Sequence, residues 1–577
     1  MKNQHNEHPN LHRYRPDWIS LNGSWDFAFD AFSVIKLRAD PHTVTYDQVI
    51  QVPFVYQSSR SGISRQDYYP YVWYRKRFSL PEEWHTGNFS YILHFGAVDY
   101  DAQVWFNGEL LGGHSGGHTP FHFIIPDSRI EPENEIVVRV YDPLDPAYPR
   151  GKQSFAAPFE CWYTPSTGIW QPVWIERVGS RWIENIHINT EYDTRNVRVE
   201  LVSGGRQIDS TLELTISREG RYLQTLEKKL DRNNIMVEFS MPEALPWSPD
   251  SPVLYDMEIR LRSGGTVEDR LFTYFAFRSI TIRDNRIFLN DRPLYHRFIL
   301  DQGYWPDSLM TPPDEESIIR DIEIAQSIGM NGCRKHLKIE DPRFLYWADV
   351  KGYLVWAEAP SFYRYTPEAC VRFENEWYEA MKRDMAHPSI IAWVPFNESW
   401  GIPDIASDPE QQEWVRRVVQ NSRDLDPTRL IISNDGWEHI DSDLSTIHSY
   451  APDADTLQDD IEQYITGREA SNGMKLWVDS YRPARLPPLV VTEFGGTAYT
   501  VQSAPDDAWG YNREASGPED FRRRIEGLMN LIYRRNDVYG FVYTQFTDVQ
   551  QEINGLFTSD RKPKIPIDKI RSIFSGK

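Results

Sequence analysis

The sequence predicts a multidomain chain: a β-rich N-terminal region, an immunoglobulin-like β-sandwich and a C-terminal (β/α)8 TIM barrel. At roughly 100–200 residues per domain, 577 residues predict about three to five domains. The first half is written in short alternating strands broken by turns. The second half alternates short apolar runs with amphipathic helical patterns, which is the order of a barrel.

Residues 1–180 form the first unit. Runs at 91–95, 102–106 and 135–141 alternate or are β-rich, and Asn107-Gly108 and Gly116-Gly117 supply turns between them. Residues 181–282 carry shorter runs at 187–190, 197–201, 212–216, 253–261 and 270–277, spaced as in an immunoglobulin-like sandwich of about 100 residues. The Pro-rich stretch 241–252 reads as a loop inside it. From 283 to 577 the candidate strands are 294–298, 332–335, 354–358, 390–396, 430–433, 446–448, 489–492 and 540–545. Helical patterns fall at 315–328, 342–350, 374–385, 413–424 and 518–534. Eight strand–helix units are the content of a closed barrel. A doubly wound open sheet would carry a Gly-rich nucleotide loop after its first strand, and none is present.

Composition removes several classes of function. A formal charge of −22 with interspersed signs argues against nucleic acid or an anionic membrane as the main partner, because both demand a basic footprint. Three cysteines, Cys161, Cys333 and Cys370, are too few and too scattered for a disulfide framework or a metal site and read as free thiols. The polar N-terminus lacks the apolar core of a signal peptide, and no apolar stretch approaches the ~20 residues of a membrane span. A soluble cytoplasmic protein is the expectation. No motif points to an organic cofactor or a catalytic metal, so neither is expected; a divalent ion bound for structure stays open, with no spacing that singles out its ligands. Aromatic residues reach 14%, which means large β-rich cores, stacking surface for a ligand, or both.

In a barrel, polar side chains at the carboxyl ends of strands point into the site. The fourth run ends in Asn397-Glu398-Ser399-Trp400-Gly401, and the seventh in Thr492-Glu493-Phe494-Gly495. Each Glu closes an apolar run that must be buried, where a carboxylate serves no packing purpose. A single Glu there could cap the next helix, but two on opposite strands suit glycosidic bond cleavage. One carboxyl gives a proton to the leaving oxygen while the other attacks or stabilises the anomeric carbon. Trp393 and Trp400 are expected to give Glu398 an apolar surround that favours its protonated form. A carboxyl separation of about 5–5.5 Å, with retained configuration, follows from a nucleophilic second Glu.

These strand ends resemble those of retaining glycosidases, and nearly the whole chain resembles glycoside hydrolase family 2, the group of β-galactosidases, β-glucuronidases and β-mannosidases. Val104-Trp105-Phe106-Asn107-Gly108, Gly113-His114-Ser115-Gly116-Gly117 and Thr167-Gly168-Ile169-Trp170-Gln171 are similar to that family's N-terminal jelly-roll domain, and Asn331-Gly332-Cys333-Arg334 to its second barrel strand. The resemblance implies Glu398 as general acid/base, Glu493 as nucleophile, Asn397 on the sugar 2-hydroxyl and Arg334 as the cation beside Glu493. It places Tyr450 to hydrogen-bond Glu493, and offers His336, Asp435 and Trp437 as further sugar contacts. A carbohydrate β-glycoside substrate is implied, and a homo-oligomer is compatible with it.

The sequence also departs from the family. The Asn-x-Lys of its β-glucuronidases is replaced by Glu552-Ile553-Asn554, so the Lys that pairs with a sugar carboxylate is missing. Strand eight ends without the family's Trp, its Ser-His-Tyr-Pro stretch becomes Lys335-His336-Leu337-Lys338, and the chain stops soon after the barrel. A neutral β-hexoside of β-galactoside type is the first expectation. A β-glucuronide, a β-mannoside, an unusual sugar or a non-catalytic carbohydrate-binding relative are the alternatives.

Overall fold

The computed structural model describes residues 8–30, 41–84, 89–230, 232–501 and 507–576. Its first unit is a sandwich of a six-stranded and a four-stranded antiparallel sheet. Alternation along Gly23–Asp30, Tyr71–Phe78, Ser90–Phe95, Asp101–Phe106 and Asn134–Tyr141 turns one face inward. Trp25, Phe27, Tyr74, Leu93, Val104, Val138 and Ile175 are buried between the sheets. Asn107 and Gly108 take φ of +47° and +80° and close a two-residue hairpin, which is why that dipeptide was legible as a turn.

The second unit packs a three-stranded against a five-stranded sheet around Val199, Leu214, Ile216, Ile259, Leu271 and Phe275. Two of its strands, Arg221–Leu230 and Asn234–Ser240, fall outside the expected runs. Its five-stranded sheet also takes in Arg13–Tyr14, which pairs with Thr273 and Phe272. The next residue, Arg15, donates to Asp269 at 2.9 Å and to Glu176 at 2.6 Å, so one buried guanidinium joins the N-terminal segment to both sandwiches.

The third unit is a parallel barrel of β1 (His296–Asp301), β2 (Gly332–Lys335), β3 (Leu354–Glu358), β4 (Ile390–Val394), β5 (Leu430–Ile431), β6 (Ser445–Ser449), β7 (Leu489–Phe494) and β8 (Val538–Tyr543). Their order around the wall is β5-β4-β3-β2-β1-β8-β7-β6. Between β5 and β6 there is no backbone ladder among the described residues. Asp443 spans the seam instead: its backbone N–H donates to Ile431 O at 2.9 Å, and its carboxylate accepts from Ile431 N at 2.7 Å.

Outside lie α1 (Glu315–Ser327), α2 (Pro342–Lys351), α3 (Pro367–Asp384), α4 (Pro409–Leu425), α5 (Ala454–Thr466), α6 (Pro518–Arg534) and α7 (Ile567–Phe574). The expectation of eight strand–helix units is corrected: among the described residues the barrel has eight strands and seven helices, because residues 432–444 connect β5 to β6 without one. Asp314, Asp341, Thr366, Asp408 and Asp453 cap five helices by accepting a first-turn N–H. No helix among the described residues is long and apolar enough to cross a membrane.

Phe298, Leu300, Trp356, Ile391, Val490 and Val542 fill the barrel interior. The hairpin Ile280–Arg283/Arg286–Leu289, with Ile287, Leu289 and Trp247, packs into the same cluster and closes the amino-terminal mouth. The carboxyl-terminal mouth is left for polar side chains. The three cysteines are free, with Cys333 and Cys370 buried and Cys161 partly so.

Candidate active site

Arg334, at the carboxyl end of β2, is fully buried and organises the mouth. Its Nε donates to Glu358 Oε2 at 2.5 Å, from the end of β3. Its Nη1 donates to Glu493 Oε1 at 2.8 Å, at the end of β7, and lies 2.6 Å from Asp435 Oδ2, just past β5. Its Nη2 donates to Asn397 Oδ1 at 2.6 Å. A guanidinium is the cation suited to this, since its donors lie in one rigid plane and reach several acceptors at once.

Glu398 sits in a turn that L-residues rarely adopt. Glu398 and Ser399 have φ of +52° and +57°, a strain on the order of 1–3 kcal/mol each. The turn is pinned by Glu398 N donating to Asp435 O at 2.9 Å and Ser399 N donating to Asn434 Oδ1 at 3.0 Å. These bonds aim the Glu398 carboxyl inward. One oxygen each of Glu398 and Glu493, with a ring nitrogen of His448, lie within 4.8 Å of one another.

His448, on β6, is the residue that sequence reasoning passed over. Its Nδ1 lies 2.7 Å from Glu398 Oε1, and its Nε2 lies 3.1 Å from Asp435 Oδ2 and 3.6 Å from Glu493 Oε1. Burial works to lower its pKa, but the Glu493 and Asp435 carboxylates and the two hydrogen bonds lift it to about 10. Burial alone would raise Asp435, yet Arg334 and His448 hold it well below the usual carboxylate range.

For Glu398 the expected environment is corrected. Burial would raise its pKa, but the hydrogen bond and charge of His448 outweigh that, with smaller help from Lys152 and Trp400, and hold it lowered. Only half of the expected aromatic surround is there. Trp400 Nε1 donates to Glu398 Oε2 at 3.1 Å, whereas Trp393 points outward, stacks edge-on against Trp377 and donates to Asp426 at 2.8 Å.

The other candidates fall as follows. Tyr450 donates its hydroxyl to Glu493 Oε2 and stacks on Tyr511 at 3.4 Å between ring centroids. His336 is buried, 3.1 Å from Arg334 Nη2 and 3.0 Å from Glu358 Oε1. Burial and the Arg334 charge push its pKa well down. Trp437 lies edge-on to His448 at 5.6 Å and forms the rim of the cluster.

Glu358 was also missed, although it too ends a buried run. Glu398, His448 and Glu493 have the atoms to converge on a cation; here Arg334 and mutual pairing already offset the carboxylates. The wall beyond Glu398 is aromatic, with the rings of Trp162 and Tyr363 each 4.8 Å from Trp400. Trp162 comes from the first sandwich, so the mouth is shared between two units.

Comparison with known proteins places this architecture. Residues 18–174 match the sugar binding domain of Glycosyl hydrolases family 2, residues 182–278 match Glycosyl hydrolases family 2, and residues 280–576 match its TIM barrel domain. A β-galactosidase of Thermoanaerobacter pseudethanolicus is 26% identical over 445 residues, covering 74% of this chain and 56% of that protein. The chain thus spans about half the length of that relative. A β-glucuronidase of Streptococcus agalactiae is 20% identical over 603 residues and 94% of both chains. Among solved structures, Bifidobacterium dentium β-glucuronidase complexed with coumarin-3-O-glucuronide superposes with a TM-score of 0.79 at 19% identity over 98% of each chain.

Proposed function

The chain belongs to glycosyl hydrolases family 2, and on that footing we propose that it is a retaining exo-β-glycosidase for a neutral β-hexoside of β-galactoside type. The observation that carries the reading is the closeness of the Glu398 and Glu493 oxygens, within 4.8 Å, which suits direct attack rather than an interposed water.

Glu493, beside Arg334 and hydrogen-bonded by Tyr450, attacks the anomeric carbon while Glu398 protonates the departing glycosidic oxygen. The glycosidic C–O bond breaks as the ester to Glu493 forms. Glu398, now a carboxylate, removes a proton from water; the water oxygen displaces Glu493 and the configuration is retained. The resting site stores its proton on His448, 2.7 Å from Glu398, so Glu398 is charged through its partner before it donates. The proton that Glu398 takes from water in the second step can pass back to His448, 2.7 Å away, which restores the resting state.

Charge supports a neutral sugar. Among the described residues, Glu358, Asp435 and Glu493 pair with Arg334, Glu398 and Asp435 with His448, and Glu552 and Glu398 lie in the field of Lys152, so five carboxylates share three cations. A uronide is the second reading, favoured by the buried ammonium of Lys152.

The test is release of nitrophenol from a panel of β-glycosides, with the product anomer followed by NMR. Retained configuration is expected, with neutral hexosides preferred over glucuronide. Glu493→Ala should lose turnover by at least about 10³-fold, and azide should restore part of it as the glycosyl azide. An inverted product would sink the mechanism. Glycan binding without hydrolysis of any sugar would leave a carbohydrate-binding protein in its place.

A further inference from the structure

The helix-less connection between β5 and β6 folds back over the carboxyl-terminal mouth and meets the turn that holds Glu398. Ser399 is the point of contact. It donates its backbone N–H to Asn434 Oδ1 at 3.0 Å, its hydroxyl oxygen accepts from Asn434 Nδ2 at 3.0 Å, and the hydroxyl itself donates to Glu438 Oε2. Asn434 gives its other amide hydrogen to Trp437 O at 2.8 Å, so its oxygen and both hydrogens are engaged. Glu438 is anchored from behind: its backbone N–H donates to Lys475 O at 2.9 Å, and that of His439 to Leu476 O at 3.0 Å. Burial pushes the Glu438 carboxyl pKa up and the Ser399 bond pulls it down, leaving it raised.

Glu398 and Ser399 both have left-handed backbone, at φ of +52° and +57°, and such a turn relaxes unless its neighbours hold it. A relaxed turn swings the Glu398 carboxyl off the glycosidic oxygen, and a misplacement of about 1 Å can cost on the order of 10²-fold in rate. We propose that Glu438 is a positioning residue for Glu398: through Ser399 and Asn434 it locks the turn, so that the Glu398 carboxyl faces the leaving oxygen. Glu438 works here as a hydrogen-bond acceptor and not as an acid or base. The support for proton transfer therefore comes from the connection that has no helix, braced in turn by residues 475 and 476. This inference rests on the glycosidase reading above.

The experiment is steady-state kinetics of the full chain on the best sugar, offered both as an alkyl and as a dinitrophenyl β-glycoside. Only the alkyl leaving group has to be protonated. Glu438→Ala should lower kcat/KM on the alkyl glycoside by about 10–100-fold and leave the dinitrophenyl glycoside within about twofold. Glu438→Gln, whose amide oxygen accepts the same hydroxyl, should restore most of the loss. Ser399→Ala should reproduce the Glu438→Ala pattern, and the double variant should be no slower than Ser399→Ala alone, because one bond carries both effects. If Ser399→Ala folds poorly, as judged by its melting temperature, the two Glu438 variants decide. No loss on the alkyl glycoside, equal losses on both glycosides, or a Gln variant as slow as the Ala one would overturn the proposal and leave the glycosidase reading standing. A wild type that hydrolyses no glycoside would overturn that reading and this inference with it.

Discussion

At the residue scale, His448 couples proton storage to stability. Its pKa rises from ~6.5 in an unfolded chain to about 10 in the folded one. That stabilisation is complete below about pH 6.5 and is lost as pH rises through about 10. Between pH 7 and 10, the melting temperature of the wild type should therefore fall more steeply than that of His448→Asn; parallel curves would refute the coupling. The variant should also lose more activity on alkyl glycosides than on dinitrophenyl glycosides, whose leaving groups need no proton. Glu398 and Glu493 were legible because a carboxylate ending a buried apolar run has no packing role. The same signal stood at Glu358 but was not used, whereas His448 sits within the mostly polar run Ser445–Ser449 and carried no such signal. Trp393 was misplaced because the β4 residues on either side of it face the barrel interior while its own ring faces α3.

At the scale of elements, the strands and caps were more legible than the helix count. Apolar runs marked all eight barrel strands, whereas α5 and α7 were not among the expected helices. The loop 150–154 of the first sandwich, bonded to Ser361 and Tyr363 at the barrel mouth, had no signal at all, since those partners lie some 200 residues away in the sequence. Gly151 shows how tightly that loop is fitted. Its φ is +57°, and a Cβ there would approach Leu337 O to 2.2 Å. Gly151→Ala should cost on the order of 1–3 kcal/mol and move Lys152. The expected readout is a raised KM for the best glycoside with the product anomer unchanged; an unaltered KM would show that the fit is not needed.

For the molecule as a whole, Arg15 is the joint between units. Removing its guanidinium leaves Glu176 and Asp269 buried with less compensation, so Arg15→Leu should lower stability by about 3–5 kcal/mol. Urea unfolding should show both sandwiches loosening together; an unshifted first transition would contradict this. That joint was invisible in the sequence, which assigned the N-terminal segment to the first unit only. The seam between β5 and β6 has a consequence of its own. With no strand ladder between β5 and β6 among the described residues and Asp443 bonding to Ile431 in its place, this stretch of wall depends on loop and side-chain bonds. Amide protons there should trade with heavy water earlier than those of β1 or β8. Asp435 and His448 flank this stretch, so each such opening would briefly loosen the proton store while the opposite wall stayed shut.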